Sequence, residues 1–106
     1  MIIHTRLLWF AAGLTVNQHL IIVHPKYRDD FQLLAHEFTH QAQMKQHGTL
    51  TFWKRYLTDK VFRLSAEVEA YKVQISHGAS RSRCATHLST MYRLGLDYAT
   101  AYALLG

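Results

Sequence analysis

The sequence predicts an α+β protein in which a small antiparallel β-hairpin or sheet at the N-terminus packs on several helices. Two β-rich runs precede Pro25, the one proline of the chain. After it, apolar residues recur at three- and four-residue steps, the spacing that is typical of helices. With 106 residues, 49% of them apolar, the chain has the size of one small domain, which we expect to span residues 1–106.

The hairpin is predicted from two short runs of β-branched and large apolar residues. Residues 14–16 and 19–23 are separated by Asn17 and Gln18, and asparagine tolerates the backbone angles of a tight turn. Residues 2–10 are also rich in bulky side chains and predict a further strand, which would end at a bend at Ala11-Ala12-Gly13.

The first long helix is predicted from its two ends. Asp29 or Asp30 can accept the first free backbone N–H groups, and Gly48 can end the helix after about His47. A short second helix or turn-rich stretch is expected over residues 50–58, where aromatic residues recur at helical spacing and are expected in the core.

Two more helical segments are expected after residue 60. The stripe of Leu64, Val68, Tyr71 and Ile75 predicts a helix over about 62–77 that ends at Gly78. Residues 80–83 read as a polar connector. A last segment over about 84–105 is expected to be interrupted near Gly95.

Charge and composition exclude some classes of protein. The formal net charge is +5, but the basic residues are scattered, so nucleic-acid binding through Arg81, Arg83 and Arg93 is only an alternative. Cys84 is the single cysteine, which excludes an internal disulfide and fits a reducing compartment. No apolar run is long enough to span a membrane, and residues 7–12 are too short for a convincing secretory signal, so we expect a cytoplasmic protein.

The strongest motif lies inside the first long helix, at His36-Glu37-Phe38-Thr39-His40. This HExxH pattern places two imidazoles one turn apart on one helix face, where they can share a metal ion. Glu37 points to a neighbouring sector, from which its carboxylate can reach a metal-activated water. The opposite face carries Phe31, Phe38 and Ala42, so the helix is expected to be buried on both sides.

A catalytic zinc site needs a third protein ligand. His47 lies about 10 Å along the helix from His40, too far to share the ion. Glu67 joins the inward stripe of the later helix, whereas Glu69 points away and can pair with Lys72. Glu67 is therefore favoured, and Glu69 is kept as the alternative.

Taken together, these residues resemble the gluzincin metallopeptidases, in particular the minigluzincins and compact zincin-like domains of bacteria and phages. The resemblance covers roughly residues 14–75, and its most specific part is HExxH followed by Glu67 and Ala70 in an ExxA pattern. It implies a zincin-like fold, with the hairpin packed on a central HExxH helix and two or three further helices. It also implies that His36, His40 and Glu67 hold Zn²⁺ and that Glu37 is the catalytic base.

One position departs from the pattern of many relatives. They place an aspartate four residues after the glutamate ligand, where it orients a zinc-binding histidine. Here that position is Tyr71. A phenol can accept the same N–H bond without carrying a charge, or Tyr71 can simply belong to the core.

The expected activity is zinc-dependent hydrolysis of peptide bonds, with Glu37 as general base. The substrate, a peptide or protein, is expected to bind as an extended strand beside residues 19–23. A C-terminal segment lying across the cleft is an expected means of latency. The stabiliser of the oxyanion is left open among five residues: His77, His87, Tyr92, Tyr98 and Tyr102.

In an alternative interpretation, the protein binds zinc but does not hydrolyse peptide bonds efficiently. In it, the chain is a catalytically weak or inactive zinc-binding structural or interaction module of phage or toxin-system origin, and the ion braces a thin core.

Overall fold

The structure, a computed structural model, describes residues 1–5 and 13–106. It shows a small α+β fold with a three-stranded mixed sheet and five α-helices. The strands are β1 (Ile2–His4), β2 (Gly13–Asn17) and β3 (Leu20–Val23), and a single 3₁₀ turn follows at Pro25–Tyr27. The helices are α1 (Phe31–His47), α2 (Thr49–Thr58), α3 (Lys60–Ser76), α4 (Arg81–Met91) and α5 (Tyr98–Leu104).

The sheet has the order β1-β3-β2. β2 and β3 pair antiparallel, which confirms the predicted hairpin. β1 pairs with β3 in the parallel direction, with Ile2 opposite Ile21, so the expectation of a purely antiparallel sheet is wrong. Of the strand predicted over residues 2–10, residues 6–10 lie outside the described residues, as do Ala11 and Ala12 of the predicted bend.

Local capping explains where the two long helices begin and end. The Asp30 carboxylate accepts the Leu33 N–H at 2.9 Å, and α1 ends at Gly48, whose φ of +83° suits glycine. Asp59 caps α3 by accepting the N–H groups of Val61 and Phe62. The predicted bounds of α1 and α3 are confirmed to within two residues.

The C-terminal third differs from the prediction at one point. Residues 80–83 are not a connector, because the Ser80 hydroxyl accepts the Arg83 N–H and starts α4 at Arg81. The expected interruption near Gly95 is confirmed. This glycine has a φ of +68° and lies between the end of α4 and the start of α5.

The apolar interior falls into two clusters. The larger one, called here the C-terminal apolar core, joins α3, α4 and α5 through seven buried residues: Tyr71, Cys84, Ala85, Leu88, Leu94, Ala101 and Leu105. The smaller one joins α1, α2 and α3 through Met44, Phe52 and Ala66. Between them, α1 and α3 meet through polar side chains rather than apolar ones.

The outer face of α1 is open to solvent. Phe31 is 78% exposed and Phe38 is 48% exposed, so the expected burial of α1 on both sides is wrong. The buried face of α1 is the polar one, which carries His36, His40 and Gln43. Within the described part of the chain, no helix has the length and apolar character needed to cross a membrane.

Candidate metal centre

Two helices bring three metal-ligating side chains together. α1 contributes His36 and His40, whose Nε2 atoms lie 3.2 Å apart, and α3 contributes Glu67. The Glu67 Oε1 atom lies 3.2 Å from His36 Nε2, and its Oε2 atom lies 3.2 Å from His40 Nε2. All three side chains are at least 90% buried. This buried His-His-Glu group could hold a metal ion.

Two glutamines orient the imidazole rings. His36 Nδ1 lies 2.9 Å from the side-chain oxygen of Gln74, and His40 Nδ1 lies 2.8 Å from that of Gln43. The Gln43 amide group donates to the Ala66 carbonyl and to Glu69, which leaves its oxygen facing His40. An amide oxygen only accepts, so each Nδ1 carries a proton and a neutral ring directs the lone pair of Nε2 towards Glu67.

This donor set calls for a cation at its centre. Two imidazole lone pairs and a carboxylate converge in a space shielded from water, and such groups repel one another unless a positive charge lies between them. Burial disfavours a charged ring, but the Glu67 carboxylate outweighs burial and raises the pKa of His40 to about 9. Burial likewise disfavours the Glu67 charge, yet His40 and His36 hold the pKa of Glu67 well below its usual range. A proton fills this role in the metal-free protein, and the ligand types suit a divalent metal ion.

Glu37 lies beside this group, turned towards the sheet. It is 5% exposed, and the Thr15 hydroxyl of β2 donates to its Oε2 atom at 2.6 Å. Gly13 lies against the same side chain, since a Cβ atom there would stand 3.4 Å from Glu37 Cγ. β2 therefore fixes a further carboxylate next to the His-His-Glu group.

Tyr56 is a member of the site that sequence reasoning placed in the core. Its hydroxyl donates to Glu67 Oε2. Burial and the nearby Glu67 charge raise the pKa of Tyr56, which keeps it a donor. The signal for Tyr56 in the sequence was its place four residues after Phe52 on one face of α2, which does not distinguish a core tyrosine from a site tyrosine.

A cleft of about 810 Å³ opens onto the His-His-Glu group. Its lining includes residues 13–15 of β2 and Glu37, and also Arg83, His87 and Met91 of α4. Such a volume is in the range of sites that bind small molecules or short peptide segments.

The cleft also tests the five oxyanion candidates. His87 and Tyr92 line it, whereas His77, Tyr98 and Tyr102 do not. No residue of α5 lines the cleft either, so the expectation that the C-terminal segment lies across it is wrong. α5 packs instead into the C-terminal apolar core.

The expectations for two residues, Glu69 and Tyr71, need correction. Glu69 is exposed and accepts from Gln43 rather than pairing with Lys72, so it lies outside the ligand group. The Tyr71 hydroxyl bonds the Tyr92 hydroxyl at 2.6 Å, so it does not orient a histidine. Gln74, seven residues after Glu67 and thus two turns along the same face of α3, does so instead.

The prediction that residues 19–23 receive the substrate is also wrong. Among the described strands, β3 is central and pairs with β1 on one side and β2 on the other, so its backbone groups are already used. The edge strand that lies next to Glu37 is β2.

Fold and site together define a class: a small α+β protein with a buried His-His-Glu group that could hold a metal ion and with a further carboxylate beside it. Comparisons of the chain with protein-family models, with curated proteins and with solved structures give no match.

Proposed function

We propose that this chain is a zinc-dependent metallopeptidase of the gluzincin type, with a zincin-like fold. His36, His40 and Glu67 would hold the metal, and Glu37 would act as general base. The observation that carries the proposal is the convergence of His36 Nε2, His40 Nε2 and the Glu67 carboxylate in a cleft that Glu37 also lines. A metal site with three protein ligands at an open cleft is the arrangement of catalytic rather than structural zinc.

Zinc is favoured over other metals by the kind of ligands. Two neutral imidazoles and one carboxylate form the ligand set of several zinc hydrolases, whereas magnesium and calcium prefer oxygen ligands alone. The glutamine oxygens behind both rings support this choice, because an acceptor on Nδ1 increases the basicity of a metal-binding Nε2.

Bound zinc would supply Lewis acidity towards the scissile carbonyl and towards the attacking water. The Glu37 carboxylate takes a proton from that water and passes it to the nitrogen of the leaving amine as the C–N bond breaks. Thr15 holds Oε2 of Glu37, which leaves Oε1 to receive the proton. β2 is the edge strand of the described sheet, and its residues 13–15 line the cleft. This part of β2 would suit an extended substrate, whose carbonyl oxygen would face His87 and Tyr92.

Metal content tests the ligand set. Protein purified without added zinc is compared with Glu67→Ala and Glu69→Ala, two removals of a carboxylate two residues apart on one helix. We expect near-stoichiometric zinc in the wild type and in Glu69→Ala, and at least a tenfold loss in Glu67→Ala. Equal zinc in both variants would contradict the assignment of Glu67.

Cleavage of a mixed peptide library tests the chemistry. Glu37→Gln keeps the size of the side chain and removes the base, so we expect it to retain zinc and fold while peptide cleavage falls at least a hundredfold. A zinc-loaded wild type that cleaves no peptide would end the peptidase proposal.

One observation favours the second candidate, a structural zinc module. The site ties three helices together, since Glu67 of α3 contacts both histidines of α1 and the Tyr56 hydroxyl of α2. A metal at this junction would brace a small core. In that case zinc raises the thermal stability of the protein and Glu37→Gln changes no measurable function.

A further inference from the structure

The two ends of the cleft differ in chemistry. At one end, the His40 ring lies 6.1 Å from the Phe52 ring and 6.5 Å from the Tyr56 ring of α2, centroid to centroid. At the other end, the Tyr71 ring lies between two histidines, with its centroid 4.4 Å from that of His36 and 6.4 Å from that of His87. The His40 end therefore meets α2, and the His36 end leads to α4.

The α4 end carries positive charge. Arg83 precedes His87 by one helical turn, so both side chains lie on one face of α4, and both line the cleft. Lys26, which precedes α1, also lines the cleft. Burial lowers the pKa of His87, and the nearby Arg83 and His36 lower it further, which favours the uncharged ring.

The negative charges of the cleft are already engaged. Asp30 caps α1, Glu37 accepts from Thr15, and Glu67 contacts two histidines and Tyr56. No carboxylate of the described residues lies within 4.0 Å of the charged nitrogens of Lys26 or Arg83. The cleft thus holds two cationic side chains that have no ion-pair partner among residues 1–5 and 13–106.

We propose that the α4 end of the cleft binds a carboxylate of the substrate through Arg83, with His87 on the same face of α4 and Lys26 also lining the cleft. The inference rests on the proposed peptidase function and names the class of its substrates, peptides with a carboxylate close to the scissile bond. The ring centroids of His36 and His87 lie 4.4 Å and 6.4 Å from that of Tyr71, and hence at most 10.8 Å (4.4 plus 6.4) from each other. An extended chain advances about 3.3 Å per residue, so a carboxylate within about three residues of the scissile bond can reach α4. It can come from an Asp or Glu side chain or from the C-terminus.

Peptides that differ in one group test the proposal on the zinc-loaded protein. Once the cleavage position is mapped, Glu, Gln and Lys are compared at each of the three residues on either side of the scissile bond. Each peptide is made with a free and with an amidated C-terminus, which separates the two sources of the carboxylate. We expect kcat/KM to be about tenfold higher for one carboxylate-bearing form than for its neutral counterpart, and lowest for Lys.

Arg83→Gln removes the proposed partner, and Arg93→Gln is the matched control. Arg93 is exposed and lies outside the cleft, so its substitution makes the same change in net charge elsewhere. We expect Arg83→Gln to bring the preference to within about twofold and Arg93→Gln to retain it. The same peptides, labelled with a fluorophore, are titrated into metal-free protein, where the ratio of Kd values reports the preference without catalysis.

The outcomes separate the two proposals. Equal kcat/KM and equal Kd for Glu, Gln and Lys peptides would overturn the carboxylate site and leave the peptidase standing. Equal loss of preference in Arg93→Gln would also overturn it, because the effect would then come from net charge alone. A zinc-loaded protein that cleaves nothing would overturn the peptidase, while the Kd ratio would still decide on the carboxylate site.

Discussion

The metal centre and the C-terminal apolar core meet at Tyr71 and are built in opposite ways. On one side, the Tyr71 ring packs against the His36 ring. On the other, it belongs to the cluster that includes Leu88, which is fully buried. The metal centre is held by hydrogen bonds and charge, whereas the apolar core is held by contact among side chains that carry no charge.

The apolar core is therefore expected to supply most of the stability, and the metal centre the proposed function. A buried apolar side chain contributes roughly in proportion to the surface that it removes from water. A buried polar cluster gains little net stability but allows few changes, since loss of one partner leaves another charge or donor unpaired. Every buried side-chain nitrogen and oxygen of the described residues has a hydrogen-bond partner. We therefore expect changes in the two regions to affect different measurements.

The largest effect on folding is expected from Leu88→Ala. The substitution leaves a cavity among α3, α4 and α5, and should lower the free energy of unfolding by about 2–5 kcal/mol. Because Leu88 is not a site residue, the folded fraction should still bind zinc in the wild-type ratio. Chemical denaturation and the zinc content of the folded protein check this. Leu88→Met is the milder control, and loss of zinc in folded Leu88→Met would show that the two regions are not separable.

Gln43→Leu, by contrast, is expected to change zinc binding at the metal centre. It removes the oxygen that accepts the His40 N–H, and the affinity for zinc should fall about 10- to 100-fold. Gln46→Leu makes the same change at an exposed position of the same helix and should leave the affinity unchanged. Competition with a chelator of known affinity measures both. Equal affinities of the two variants would show that the glutamine does not support the ligand.

The two regions also differ in how much of them could be predicted from the sequence. Local signals at Asp30 and Gly48 set the ends of α1, and the apolar stripe of α3 placed Glu67 on its inner face. The side chains that form hydrogen bonds to the His-His-Glu group were not predicted, because their positions depend on how the helices pack. Gln74 and Tyr56 approach the site from α3 and α2, and neither position carries a pattern that fixes its partner.

The sheet shows the same limit. The hairpin of β2 and β3 is local and was predicted from its turn, but the parallel pairing of β1 with β3 joins residues far apart in the sequence, such as Ile2 and Ile21. Which strand lies at the edge beside Glu37 followed only from the assembled order β1-β3-β2. Contacts between residues distant in sequence produce no periodic pattern. The hydrogen bond from Thr15 to Glu37 is one such contact, so the sequence did not predict it.

The smallest expected difference between the two regions is in how their contribution to stability depends on pH. In metal-free protein the pKa of His40 rises from 6.5 to about 9, because the Glu67 carboxylate outweighs burial. A raised pKa means that this contribution to stability is complete below pH 6.5 and is lost as pH rises through about 9. Glu67, with its lowered pKa, is ionised throughout that range. The metal-free protein should therefore lose stability between pH 6.5 and 9.

Zinc should respond to pH in the opposite direction, because it competes with the proton on His40. Its affinity should rise about tenfold per pH unit and level off above pH 9. Leu88 lies in the C-terminal apolar core, where burial raises the pKa of the Cys84 thiol, and outside the group formed by His40 and Glu67. The loss of stability in Leu88→Ala should therefore be the same at pH 6.5 and pH 9. Denaturation after chelation and zinc titrations at three pH values measure both slopes. A zinc affinity that does not depend on pH would mean that no proton leaves His40 on binding, and would contradict the coupling of this histidine to Glu67.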